Sequence, residues 1–190
     1  LAKEGLSVRF SDSKDESILA PVIESSFITE CDGMVDRQGN SRIWIMDCRK
    51  GLADSKNLQL AADWFVSVLD QQNIDQIVVK GYGAYLLVGS ILVTSYKTIR
   101  AGIIRESSKG YDTNSLIEGS LDYRKPVLLV DDILNSGTSC KSALTVLKNS
   151  GFKKINAAFL MKFSLGMNGA VELQKRGVQN ITHAMEVLNK

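Results

Sequence analysis

From residue 57 onward, apolar and polar positions alternate between two periods. Leu58, Ala61, Ala62, Phe65, Val68 and Leu69 recur at helical spacing, which predicts a helix over 57–72 capped by Asp54 or Ser55. Ile77, Val78 and Val79 form a short apolar run closed by Lys80-Gly81, the pattern of a buried strand. Ala84, Leu87, Val88, Ile91 and Leu92 return at offsets of three and four and predict a second helix. Further strands are expected over 98–104, 127–130 and 155–161. A helical stripe through Ala143, Leu144, Val146 and Leu147 should stop at Gly151, and a short helix over 170–176 at Gly177. Such alternation predicts an α/β fold with a mainly parallel central sheet flanked by helices. Sheets of this kind bind ligands at the carboxyl ends of their strands, so chemistry is expected after Val79, Ile104, Val130 and Met161.

Two stretches break the pattern. Residues 18–50 hold short apolar pieces and turns, and suit a small antiparallel addition forming an N-terminal hood. Residues 105–125 are polar, and a loop of that length inside one domain is expected to be a mobile lid or binding loop, here over 105–120. With no repeat or low-complexity tract, the whole of 1–190 is expected to be a single domain.

Composition narrows the class. The 190 residues are 44% hydrophobic and 23% charged, average globular usage that excludes collagen, coiled coil and general disorder. A net charge of +2, from 23 basic and 21 acidic side chains, gives no reason to expect nucleic acid or a membrane surface as partner. No apolar run reaches the roughly 18 residues of a membrane span, and the polar start, which begins with Leu1, lacks the apolar stretch of a secretion signal. Three cysteines, Cys31, Cys48 and Cys140, show no CxxC spacing, so reduced thiols and a cytoplasmic location are expected.

The segment VLLVDDILNSGTS, residues 127–139, carries the chemistry. A buried strand delivers Asp131 and Asp132 at its end, and a turn of Asn135, Ser136, Gly137, Thr138 and Ser139 leads into a helix. Exposed amides at a helix start bind an anion, and the hydroxyls add donors. Two carboxylates beside that anion can accept hydrogen bonds from vicinal sugar hydroxyls, so the segment reads as a sugar-phosphate clamp. A plain strand–turn–helix would instead use Asp132 as a turn residue and Ser139 as the N-cap. Adjacent carboxylates at a buried strand end carry a desolvation cost, which argues for the functional reading. Neither a Walker loop nor a GxGxxG motif is present.

This segment resembles the phosphoribosyl-pyrophosphate (PRPP) signature of type I phosphoribosyltransferases, and the resemblance is nearest to the orotate phosphoribosyltransferase branch. WIMDCRK (44–50) resembles that branch's early YxDLR element, and VVKGYGAYLLVGSIL (78–92) its pyrophosphate-loop segment. IIRESSKGYDTNSLIEG (103–119) is similar to its catalytic loop, and MKFSLGMNGAVELQKRG (161–177) takes the place of its later VDRQEGG region. The resemblance implies a pentosyltransferase that displaces pyrophosphate from C1 of PRPP with a ring nitrogen of a pyrimidine or related base, using Mg2+, as a homodimer. It implies that Asp131 and Asp132 bind the ribose hydroxyls, that Asn135, Ser136, Gly137, Thr138 and Ser139 hold the 5-phosphate, and that Lys80, Gly81 and Tyr82 line the pyrophosphate. Arg105, Lys109 and Asp132 are the implied catalytic residues, and Lys162 and Phe163 stand at the base pocket. Magnesium would come with PRPP, near Asp131 and Asp132. The chain departs from the family pattern at Glu106, Tyr111-Asp112, Glu30-Cys31-Asp32-Gly33 and Lys162-Phe163. Those changes leave PRPP recognition intact and motivate an alternative, a non-catalytic protein of the same fold that senses PRPP or a nucleotide.

Overall fold

The computed structural model describes residues 2–3, 6–28, 44–106, 116–165 and 168–189. In chain order the elements are β1 (Ala2–Lys3), β2 (Leu6–Phe10), α1 (Ser13–Ser26), β3 (Phe27–Ile28), β4 (Ile45–Met46), α2 (Cys48–Gly51), α3 (Ser55–Gln72), β5 (Gln76–Val79), α4 (Tyr82–Thr94) and β6 (Arg100–Ile104). There follow β7 (Ile117–Gly119), β8 (Val127–Leu134), α5 (Thr138–Asn149), β9 (Ile155–Ser164), α6 (Gly169–Lys175) and β10 (Ile181–Asn189).

One sheet runs β1-β2-β10-β9-β8-β5-β6-β7. Its centre, from β10 to β6, is parallel, while β2 and β7 add to the two sides antiparallel. Side chains of a strand alternate between faces, and both faces of these strands are apolar, so the sheet is covered twice. Ile77, Val79, Leu128, Val130, Ala158 and Leu160 pack with α1, α3 and α4 through Leu19, Phe65, Leu69, Leu87 and Ile91. Val78, Val127, Leu129, Ala157 and Phe159 pack with α5 and α6 through Ala143, Leu144, Leu147 and Leu173. Burial of each large side chain contributes about 1.5–3 kcal/mol, so this two-sided core holds the strand ends in place.

Local chemistry sets the element boundaries. The Asp54 carboxylate accepts from the Lys56 and Asn57 amides at 2.9 and 3.1 Å and starts α3, which Asn73 ends in the left-handed region at φ 51°. Gln76, fully buried, donates to the Asp122 and Pro126 carbonyls and accepts from the Asp122 amide, which ties the approach to β8 onto β5.

Two expectations are corrected. The stretch from Ile18 was expected to be short apolar pieces and turns, but α1 occupies it as far as Ser26; Pro21 inside the helix and its weak amphipathic pattern concealed it. The antiparallel feature of that region is the pair Phe27–Ile28 with Ile45–Met46. The polar stretch after Arg105 was expected to be loop throughout, yet Ile117–Gly119 pairs with Gly102–Ile104 as a side strand. No helix among the described residues is long and apolar enough to cross a membrane.

Candidate functional site

β8 continues past its buried half (Val127–Val130) and carries Asp131 and Asp132 beyond the core, where both are half-buried. Strand alternation sends them to opposite faces. Asp131 is in register with Phe159 and faces α5, where the Cys140 thiol lies 4.0 Å from its Oδ2. Asp132 faces α4 so closely that a Cβ on Gly83 would sit 2.5 Å from its Oδ2. Burial first, and then the charge of Asp132, push the Asp131 carboxyl well above the usual aspartate range. The Asp132 amide donates to Asp131 Oδ1 and the Ile133 amide to Asp132 Oδ1, at 3.0 and 2.9 Å, which orients both carboxylates.

Six helices are described, and four of them start on a side-chain cap: Asp12, Asp47, Asp54 and Asn168 accept from first-turn amides. The two that start beside the aspartates have none. α4 begins at Gly81 (φ 96°) and α5 at Gly137 (φ 71°), both in conformations that favour glycine and neither with a side chain to occupy the first amides. Amides without an internal partner, at the positive end of a helix dipole, make an anion site. The two starts are neighbours, since the position of a Cβ on Gly81 lies 3.9 Å from Ser139 Oγ. Ser139 is therefore not the N-cap that a plain strand–turn–helix would use. Ser136 Oγ and Thr138 Oγ1 lie 2.9 Å apart across the turn, and Asn135 is exposed. α6 supports the turn from below, where a Cβ on Gly169 would come within 2.2 Å of the Asn135 carbonyl.

Lys80, 9% exposed, brings a cation to the junction of these elements. Its Nζ donates to Ser142 Oγ at 2.6 Å and lies 3.5 Å from Glu106 Oε2, so it bridges the end of β5, α5 and the segment after β6. Tyr82 is 80% exposed, packed edge-on against Tyr85. Arg105 is held elsewhere: its guanidinium donates to Glu118 at 3.0 Å across the β6–β7 pair. Lys109, Tyr111, Asp112 and Glu30 to Gly33 lie outside the described residues.

The two residues expected at a base pocket separate. Phe163 packs edge-on against Trp44 with centroids 6.3 Å apart, and Trp44 stacks on Phe27 at 5.8 Å and 12°. Lys162, one residue earlier, points to the other face and donates to Glu186 Oε1 at 2.7 Å. Glu186, a buried residue, also accepts from Ser164 at 2.5 Å and from Arg9, and these donors lower its pKa to about 2. Half-buried His183 on the same strand is held below its ordinary value, chiefly by burial. Sequence reasoning missed Gly83, Ser142, Gly169 and Glu186. Two glycines next to predicted helix starts were a readable signal, whereas Ser142 and Glu186 had none.

No family model matches the chain. It is 26% identical over 119 residues to the orotate phosphoribosyltransferase of Methanosphaera stadtmanae, covering 63% of this chain and 66% of that protein. It is 26% identical over 141 residues to the orotate phosphoribosyltransferase of Acinetobacter baumannii, covering 72% of this chain and 61% of that protein. The matches thus span about two thirds or less of those relatives' length. Among solved structures, the orotate phosphoribosyltransferase of Mycobacterium tuberculosis H37Rv superposes with a TM-score of 0.76 at 18% identity, over 88% of this chain and 94% of that one. The same protein solved in complex with PRPP gives 0.71 at 17%, over 88% and 93%. At such identity the structural likeness is one of fold.

Proposed function

We propose that this chain, which resembles the type I phosphoribosyltransferases in fold and the orotate phosphoribosyltransferases in sequence, transfers the phosphoribosyl group of PRPP to a ring nitrogen of a pyrimidine or related base. The bond from C1 to the pyrophosphate oxygen breaks, a bond from C1 to nitrogen forms, and the nitrogen's proton is released. One observation carries this reading: the only two described helices without a side-chain cap begin side by side around a pair of carboxylates. That arrangement offers two anion sites with sugar-hydroxyl acceptors between them, the functional groups of a pentose phosphorylated at both ends. The solved relative in complex with PRPP supports it.

In this reading the amides of the turn from Asn135 to Ser139 and the start of α5 hold the 5-phosphate. Asp131 and Asp132 accept from the ribose hydroxyls, and Asp132 also faces the reacting carbon. Lys80, with Gly81 and Tyr82, receives the pyrophosphate, whose departing charge is the main electrostatic task. Arg105 and Lys109 would complete that cation set, for which Arg105 must exchange Glu118 for the substrate. Asp131 and Asp132 fit a hard divalent cation by donor type, but two carboxylates on opposite faces make no cage, and no cluster of three ligands occurs among the described residues. They therefore fit Mg2+ carried in by PRPP, which when bound would offset the charge of the leaving group. The named relatives lend no support to the sensing alternative.

A homodimer is part of the proposal. Tyr82, Leu86 and Val93 lie along one side of α4, with Tyr85, Leu92 and Tyr96 next to them, and all are exposed. An apolar stripe of that size suits a second copy of the chain. Sedimentation should show a dimer that Leu86→Asp dissociates; a wild-type monomer overturns this part. For the activity, the protein is incubated with PRPP, Mg2+ and a panel of nitrogen heterocycles while pyrophosphate release is followed. Silence across the panel together with no calorimetric PRPP binding refutes the reading.

A further inference from the structure

Among the described residues, the wall beside the proposed sugar site is aromatic, and Arg49 and Lys162 near it are already engaged. Phe27, Trp44, Met46 and Phe163 pack against the same core cluster as Ile133, the residue after Asp132. Burial, and next the charge of Asp132, raise the Cys48 thiol, while Arg49 is raised chiefly by its hydrogen bond to Asp47 and least by Asp132. Trp44 immediately precedes β4 and contacts Phe163, and Phe163 follows the residue in register with Leu134 at the end of β8. The Phe27–Trp44–Phe163 cluster therefore lies at the carboxyl ends of β8 and β9, on the Asp132 side of the sheet. All three rings are partly exposed.

Two described cations around it, Arg49 and Lys162, have partners. Arg49 donates to both Asp47 oxygens, at 2.7 and 3.0 Å. Lys162 alternates to the opposite face and is pinned by Glu186, which Ser164 and Arg9 hold in place. Drawing Lys162 back through the sheet would leave Glu186 short of its nearest cation, which is costly at a buried site. A carboxylate placed against the aromatic wall would lose water and meet no unengaged cation of Arg49 or Lys162, the pair described around it. An uncharged ring loses little there and gains stacking and edge contacts.

Resting on the transferase reading above, we infer that the base taken at this site is an uncharged aromatic heterocycle selected by the Phe27–Trp44–Phe163 wall, and that a pyrimidine carrying a carboxylate is disfavoured. Phe163 is the specificity-determining residue. The test follows pyrophosphate release from PRPP and Mg2+ with orotate, uracil, cytosine and adenine. The expected result is a kcat/KM for the best uncharged base at least tenfold above that for orotate, with Phe163→Arg narrowing the ratio while the melting temperature confirms a folded variant. Equal or better use of orotate by the wild-type protein overturns the inference and leaves the transferase reading standing. If PRPP binds but no base turns over, calorimetry with uridine and orotidine 5′-monophosphates decides: tighter uridine nucleotide supports the inference, and tighter orotidine nucleotide, or binding of neither, overturns it. Absence of PRPP binding overturns both.

Discussion

Replacing Glu106 with Gln tests whether the Lys80 junction is a pyrophosphate site. Glu106 Oε2 lies 3.5 Å from Lys80 Nζ, so the cation that should meet the pyrophosphate starts out paired with a carboxylate. At that distance two unit charges attract by about 1.2 kcal/mol in a water-like medium. The Glu106 side chain is 72% exposed, so solvent competes and the effective value falls to about 0.5–1 kcal/mol. An incoming pyrophosphate must displace this carboxylate and also meets its repulsion. Glu106→Gln removes both penalties and should tighten PRPP binding by roughly two- to fivefold, since about 1.4 kcal/mol is tenfold. The assay is calorimetry of PRPP with Mg2+ at low and high salt, the gain shrinking at high salt as screening rises. Unchanged or weaker binding at low salt, in a variant with wild-type circular dichroism, refutes the placement of pyrophosphate at Lys80.

Three other outcomes are expected. Gly83→Ala puts a methyl where the Asp132 carboxylate lies, 2.5 Å from Oδ2, so PRPP affinity should fall at least tenfold while the melting temperature, read by calorimetry, moves little. Asp131 has its pKa raised by burial, so its ionisation opposes folding as pH rises through that value; Asp131→Asn should raise the melting temperature at pH 7 while weakening PRPP binding, and a drop in stability counts against the assignment. Glu186, lowered to about 2, contributes stability that is present above the ordinary glutamate range and lost as pH falls toward 2; acid unfolding should be displaced to higher pH in Glu186→Gln, with about 2 kcal/mol lost at pH 7 by urea titration.

Much of this protein could be read from the chain because its strands are buried on both faces. Continuous runs such as Ile77–Val79 and Val127–Val130 have few alternatives, and helices α3, α4 and α5 announce themselves by spacing and by Asp54 and Gly151. The strand, carboxylates, turn and helix start of the proposed sugar-phosphate segment were legible because they are contiguous between Val127 and Ser139. α1, with Pro21 inside it, and β7, three residues in a polar stretch, escaped because their stability comes from what they pack or pair with.

The sequence alone thus determined the α/β order and the strand–turn–helix proposed as the clamp, whose parts are neighbours along the chain. Only the tertiary structure decided what surrounds the clamp. It set the first turn of α4 against Asp132, paired Lys80 with Glu106, and turned Lys162 toward Glu186 while Phe163 met Trp44. Each of these contacts joins residues from different elements. Their register depends on how β5, β8, β9 and β10 align, and that alignment is set by packing across both faces of the sheet rather than by any local preference of the residues themselves.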